Sequence, residues 1–338
     1  MDAGRVRPAA LVAPQLLAAL SLTFAASGCS GSSEAPTADR EVVVYASVDQ
    51  NYAEPVLEAF EAETGIRVRP VYDVEAAKTT GLVNRLMAES DAPIADVWWS
   101  GEFAQTVELA DSGVLAPYAA PASDDIPAGF VSPEALWTGF GGRARVLLVN
   151  TDLLDPSEYP ESIFDLVDGD IAPEQVGIAH PVFGTTAAQA AALYAALGDE
   201  AAREYFESLR DAGVKVLDGN AAVRDQVANR RLAVGLTDTD DACVAIRRGD
   251  PVAMVFPDQG EGGLGTLIVP NTVALVAGGP NEAEGRELID FLLGEDTARG
   301  LVEAGWFQMT LRPIEGAESC VDTSGVRAMF VSLPEIAA

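Results

Sequence analysis

The sequence predicts an α/β fold of two lobes with a ligand cleft between them. Three observations predict it. β-Branched runs alternate with amphipathic helical stretches along most of the chain. The alternation restarts near Arg143 after three strand–helix pairs. The 338 residues also exceed one hydrophobic core, since single cores stop growing at roughly 250–300 residues.

The first set begins with Glu41-Val42-Val43-Val44-Tyr45, an apolar run with the signature of a buried parallel strand. A helix over 52–64 follows, with Val56, Leu57 and Phe60 on one face and Gly65 as its stop. The pattern then predicts a strand at 66–72, a helix at 78–90, a strand at 95–99 and a helix at 102–112. Such repeated winding predicts a mostly parallel sheet with helices on both faces. In the second set, strands are predicted at 145–150, 176–179, 214–217, 232–236 and 266–276. Helices are predicted at 185–197, 199–212, 221–230, 281–293 and 296–304. The stretches 137–150 and 255–272 are the two places where the chain crosses between lobes. The expected first lobe is 41–142 plus about 265–312, and the second 143–264 plus about 313–338.

The chain start has its own logic. Arg5 and Arg7 precede an uncharged apolar stretch at 9–26, which closes on Ala26-Ser27-Gly28-Cys29. That order is the signature of a secretory signal peptide over 1–28. The cysteine after Ser-Gly resembles a lipobox, so Cys29 is expected to be acylated, with 29–40 as a polar tether to the membrane. The apolar stretch 264–279 is broken by Pro270 and several glycines and is shorter than the about 20 residues of a spanning helix.

The net charge of −31 excludes nucleic acid as a natural partner. The single histidine, His180, argues against a His-rich metal site and a Ser-His-Asp triad, and no Gly-x-Ser-x-Gly stretch occurs. His180 is read as structural. Enzyme chemistry is therefore not expected. Of the three cysteines, Cys243 and Cys320 remain after Cys29, and spacing alone leaves their pairing open.

In such folds ligands sit in loops after the strands. Those loops carry Ser47 and Asp49, then Trp99 and Glu102, then Gly184-Thr185-Thr186, then Asn220, then Thr237 to Asp241. Gly184-Thr185-Thr186 opens a helix, where free N–H groups and hydroxyls can cradle an anion, and Asn220 can add an amide. An ordinary Thr cap reads the same way. Asp238, Asp240 and Asp241 place three carboxylates in four residues, suited to a hard cation or an ammonium group, with one of them as helix cap. Trp98 and Trp99 read as core or cleft wall, and Trp99, taken as a cleft residue, is expected to cover an apolar part of the ligand. Arg143 and Arg145 are expected either to clamp an anion or to tie the hinge to acidic neighbours. Glu75, Lys78 and Thr79 are placed at the cleft mouth.

The carrying stretches are Val43-Val44-Tyr45-Ala46-Ser47-Val48-Asp49-Gln50, Ala95-Asp96-Val97-Trp98-Trp99-Ser100-Gly101-Glu102, Gly184-Thr185-Thr186-Ala187, Asp218-Gly219-Asn220 and Gly235-Leu236-Thr237-Asp238-Thr239-Asp240-Asp241. In this order they resemble the periplasmic ferric-ion-binding proteins of ABC importers, within the type II solute-binding class. The resemblance implies a Venus-flytrap fold, a monomer, and delivery to a permease with a cytoplasmic ATPase. It implies Fe³⁺ as cargo, held by a histidine, a glutamate and two adjacent tyrosines, with a synergistic anion such as phosphate or carbonate at a helix N-terminus. Glu102 matches the glutamate, and Gly184, Thr185, Thr186 and Asn220 match the anion side. Asp49 stands at the histidine position, and Asp240 and Asp241 at the tyrosine pair. The implied metal set is thus Asp49, Glu102, Asp240 and Asp241. The departure from tyrosine keeps a second cargo open: a small organophosphonate or organophosphate such as aminoethylphosphonate, with its phosphorus oxygens on Thr185 and Thr186 and its ammonium group on Asp240, Asp241 or Glu102. A third reading is a receptor subunit that senses the ligand without transporting it.

Overall fold

The computed structural model describes residues 40–72, 80–182, 184–317, 320, 322–323, 325–329 and 331–337. The signal peptide, Cys29 and nearly all of its tether, and Glu75, Lys78 and Thr79 lie outside the described residues.

Strand β1 (Glu41–Ala46) is buried along its apolar run and pairs in parallel with β2 (Arg67–Tyr72) and β3 (Val97–Ser100). Between them run α1 (Gln50–Thr64) and α2 (Thr80–Ala88), and α3 (Ala104–Asp111) follows β3. Helix α1 stops where predicted. Gly65 takes a left-handed φ of 70°, and its N–H caps the Glu61 carbonyl. The short β4 (Leu115–Ala116) leads to the longest strand, β5 (Thr138–Asn150).

The second set contains the short α4 (Asp165–Asp168), β6 (Val176–Ala179), α5 (Gly184–Leu197), α6 (Asp199–Ala212), β7 (Lys215–Leu217), α7 (Asn220–Ala228), β8 (Val234–Asp238), α8 (Thr239–Arg248) and β9 (Val252–Val255). The chain closes with β10 (Ile268–Val276), α9 (Glu282–Leu292), α10 (Glu295–Glu303), β11 (Met309–Thr310) and α11 (Leu333–Ala337). The sheet order is β2-β1-β3-β10-β5-β8-β6-β7.

Two expectations change. The sheet is mixed: parallel toward both ends, antiparallel at its centre. The reason is that β5 and β10 carry the chain out and back, so they run against each other. The strand expected to start at Arg145 starts at Thr138 instead. Its first half pairs with β10 and β11, its second half with β8 and β9. Glycines make the first half possible. A Cβ at Gly142 would strike the Val269 carbonyl, and one at Gly141 would strike the Phe307 ring.

Cys243 on α8 is joined to Cys320 by a disulfide, with Cα atoms 5.7 Å apart. Helix α11 packs on both α3 and α5 through the buried Leu333 and Ile336.

Candidate functional site

The turn from β8 into α8 organises the site. Asp238 occupies the N-cap position of α8 without using its side chain as a cap. Its carboxylate instead pairs with the buried Arg145 of β5, Nη1 to Oδ1 at 2.6 Å. Thr185 donates its hydroxyl to Asp238 at 2.6 Å, and the Asn220 amide donates to the same oxygen at 2.8 Å. Arg145 also donates to Gln189, Asn220 and Thr185. The chain thus fills its own anion cradle. The hydroxyl, amide and guanidinium expected to receive a ligand anion converge on a protein carboxylate. Such a pair is held because neither charge is left alone away from water. Thr186 reaches Asn220 at 3.4 Å, and Thr237 is buried with its hydroxyl on the Asn220 carbonyl.

Beyond this network opens a cleft of about 510 Å³. Asp49 and Tyr52 reach it from the start of α1, and Arg143 from β5. Asp240, Asp241 and Arg247 reach it from α8, and Glu303 and Trp306 from the end of α10. The first turn of α8 is held against β5, where the Ala144 N–H donates to the Thr239 hydroxyl at 3.0 Å. One oxygen each of Asp238, Asp240 and Asp241 can lie within 4.8 Å of the others, a spacing suited to a cation.

These carboxylates are poised by burial. Burial raises the Asp240 pKa, its neighbour Asp238 adds to the rise, and Arg143 opposes it. Burial and then Asp240 push Asp241 up to about 7, against the pull of Arg224, which pairs with it at 2.7 Å. An incoming cation would reverse these rises, because it favours the ionised form. Among the described residues, Asp240 Oδ1 and Arg143 Nε are buried without a hydrogen-bond partner.

Of the expected site residues, the cleft brings together Asp49, Asp240 and Asp241. Glu102, expected as a metal ligand, is not among the residues that line it. Burial raises its pKa, and the N–H groups of Ala104 and Gln105 and the charge of Arg143 offset part of that rise. Ser47 is held within the loops, its hydroxyl 3.2 Å from that of Ser100 and accepting from the Gly101 N–H. Trp99 does not cover the cleft. It is fully buried in the core against Phe140, because β3 lies between β1 and β10. Arg145 is likewise sealed by its network and does not clamp from the cleft. His180 is exposed, and its backbone N–H donates to the Leu217 carbonyl.

Sequence reasoning missed Tyr52, Arg247, Glu303 and Trp306. Tyr52 follows Asp49 by three residues in a predicted helix and was open to the i, i+3 rule. Glu303 and Trp306 close a helix rather than follow a strand, so the loop rule passes over them.

Residues 93–314, well over half of the chain, match the family of bacterial extracellular solute-binding proteins, and the chain belongs to that family. Its fold is the two-lobed periplasmic-binding-protein fold, type II, with hinge-crossing strands, as the sequence predicted. A solved ferric binding protein from Bordetella superposes with a TM-score of 0.74 at 24% identity, over 88% of this chain and 94% of that one. The iron uptake protein A1 of Synechocystis is 25% identical over 284 residues, 80% of this chain and 77% of its own. A putative 2-aminoethylphosphonate-binding periplasmic protein of Salmonella typhi is 25% identical over 260 residues, 76% of this chain and 74% of its own. Among the described residues no helix is long and apolar enough to cross a membrane.

Proposed function

We propose that this chain is the extracytoplasmic binding subunit of an ABC importer, and that it captures ferric iron with a synergistic anion for delivery to a permease with a cytoplasmic ATPase. The observation that carries the reading is the meeting of Asp49 with Asp240 and Asp241 across one cleft. Carboxylate oxygens are the ligands a hard cation prefers. The iron-named relatives support it. The cleft's volume leaves room for the anion beside the metal. With Thr185 and Asn220 turned to Asp238, Arg143 and Arg247 are the cleft cations suited to that anion. Closure of the lobes, 41–142 with about 265–312 against 143–264 with about 313–338, would desolvate and strengthen these contacts. Acylation at Cys29 would keep the protein at the membrane as a monomer beside its permease.

A second reading has its own support. Two arginines and several carboxylates in one cleft suit a zwitterion such as 2-aminoethylphosphonate, and a relative carries that ligand in its name. Iron loading of the mature protein, read by elemental analysis under citrate competition, tests the first reading. Bound metal supports it, and metal-free protein refutes it. Calorimetric heat with 2-aminoethylphosphonate but none with phosphate or ferric citrate would establish the second.

A further inference from the structure

An aspartate at a helix N-cap ordinarily turns its side chain back onto the free N–H groups of its own first turn. Asp238 stands at that position of α8 and makes no such bond. Its two oxygens are taken instead by three other elements. Arg145 of β5 donates to Oδ1 at 2.6 Å, and Thr185 of α5 and Asn220 of α7 donate to Oδ2 at 2.6 and 2.8 Å. Asp238, Thr185 and Arg145 are all buried.

A guanidinium, a hydroxyl and an amide that converge in this way suit a small oxyanion. Thr185 lies in the first turn of α5, where the helix end also favours negative charge. The guanidinium is not used up. Arg145 Nε donates to Gln189 and Nη1 to Thr185, Asn220 and Asp238, yet among the described residues Nη2 is buried with no hydrogen-bond partner. Asp238 therefore fills a cradle that has donors to spare. A second anion would need the same donors and would lie against a buried like charge. Asp238 also has an oxygen within 4.8 Å of oxygens of Asp240 and Asp241, so the carboxylate in the cradle adds its charge to theirs.

We propose that Asp238 is a specificity residue: its carboxylate takes the place of a ligand's anionic group at the start of α5, bars phosphate, phosphonate and free carboxylate groups from that cradle, and turns this end of the cleft toward cationic groups. The exclusion holds for either cargo. A ferric ion or an ammonium group meets carboxylates on this side, and an anionic partner is left to Arg143 and Arg247.

The test is chemical rescue, read without cargo. Asp238→Ala removes a carboxylate group and leaves room for formate, which has the same carbon and oxygens. Asp238→Ser, which keeps one acceptor oxygen for Arg145, is measured in parallel as the milder change. Melting temperatures are followed against sodium formate, with sodium chloride at equal ionic strength as reference. The control is Asp238→Ala combined with Arg145→Met, because replacing both members of a buried ion pair by apolar groups is often neutral or stabilising. The expected result is a saturable rise with formate in the single variants, roughly twofold or more that of wild type, and its loss in the double variant. A rise in the single variants no larger than in wild type, or one that persists in the double variant, overturns the proposal. Either result leaves the ferric reading standing, since iron loading decides that separately.

Discussion

Arg145 and Asp238 form an ion pair at 2.6 Å with their side chains 0% and 5% exposed. The pair joins β5 to the turn that presents the cleft aspartates. Arg145→Ala strands a buried carboxylate, so it is expected to cost about 3–5 kcal/mol. Asp238→Ala strands the guanidinium at a similar cost. Urea unfolding midpoints of both variants check this. Thr185→Val removes one charge-assisted donor and is expected to cost about 1.5–3 kcal/mol, with a smaller effect on ligand affinity than on stability.

Asp240→Ala with Asp241→Ala removes both cleft carboxylates of α8. Calorimetry is expected to show binding of the cargo abolished, whether ferric citrate or 2-aminoethylphosphonate. Affinity unchanged in this double variant would move the site away from α8.

The raised pKa of Asp241 gives the empty protein a pH signature. Its folded value, about 7, lies above the ordinary carboxylate value, so the folded state holds this proton more tightly. That contribution is complete below pH about 4 and is lost as pH rises through about 7. The slope between is at most about 1.4 kcal/mol per pH unit. Asp240 and Asp238 raise the folded value, while Arg224 and Arg145 lower it. Asp241→Asn does not titrate there. Its melting temperature is expected to fall less than that of wild type between pH 5 and 8.

The Cys243–Cys320 bridge closes a long loop, 77 residues apart in sequence. Chain entropy sets its stabilisation at up to about 4–5 kcal/mol. Cys243→Ala with Cys320→Ala is expected to lower the urea midpoint and the melting temperature. Dithiothreitol should do the same to wild type and nothing to the variant.

Gly142→Ala puts a methyl group into the Val269 carbonyl of the neighbouring strand. The strands must part or bend to admit it. A lower melting temperature is expected, with overpacking of this kind costing typically about 1–3 kcal/mol.

The fold was legible wherever periodicity carried it. The start of α1 shifted by two residues, while β6 and α6 match their predicted ranges. What stayed hidden has a physical cause. Gly139, Gly141 and Gly142 erase the apolar signal of the first half of β5, although close strand packing is what requires glycine there. The central antiparallel pairing depends on where β5 and β10 meet, and no local pattern records that. At the site, the loop rule found Asp49, Asp240 and Asp241. It could not tell Asp238 from its neighbours, because only the fold brings Arg145 to it. It kept Trp99 as a cleft residue, because an aromatic after a strand reads alike in a wall and in a core.

One strand, β5, belongs to both halves of the sheet and carries Arg143 and Arg145 two residues apart, hence on the same face. Arg145 stands opposite Asp238 in the ladder with β8, and Arg143 opposite Val269 in the ladder with β10. A slip of one position turns both guanidiniums to the other face and leaves the cleft and Asp238 without them together. Competence is therefore all-or-none for each molecule. In a preparation containing misaligned chains, a binding titration loses stoichiometry while the affinity of the remaining molecules stays constant, so the titration end point counts the correctly aligned fraction.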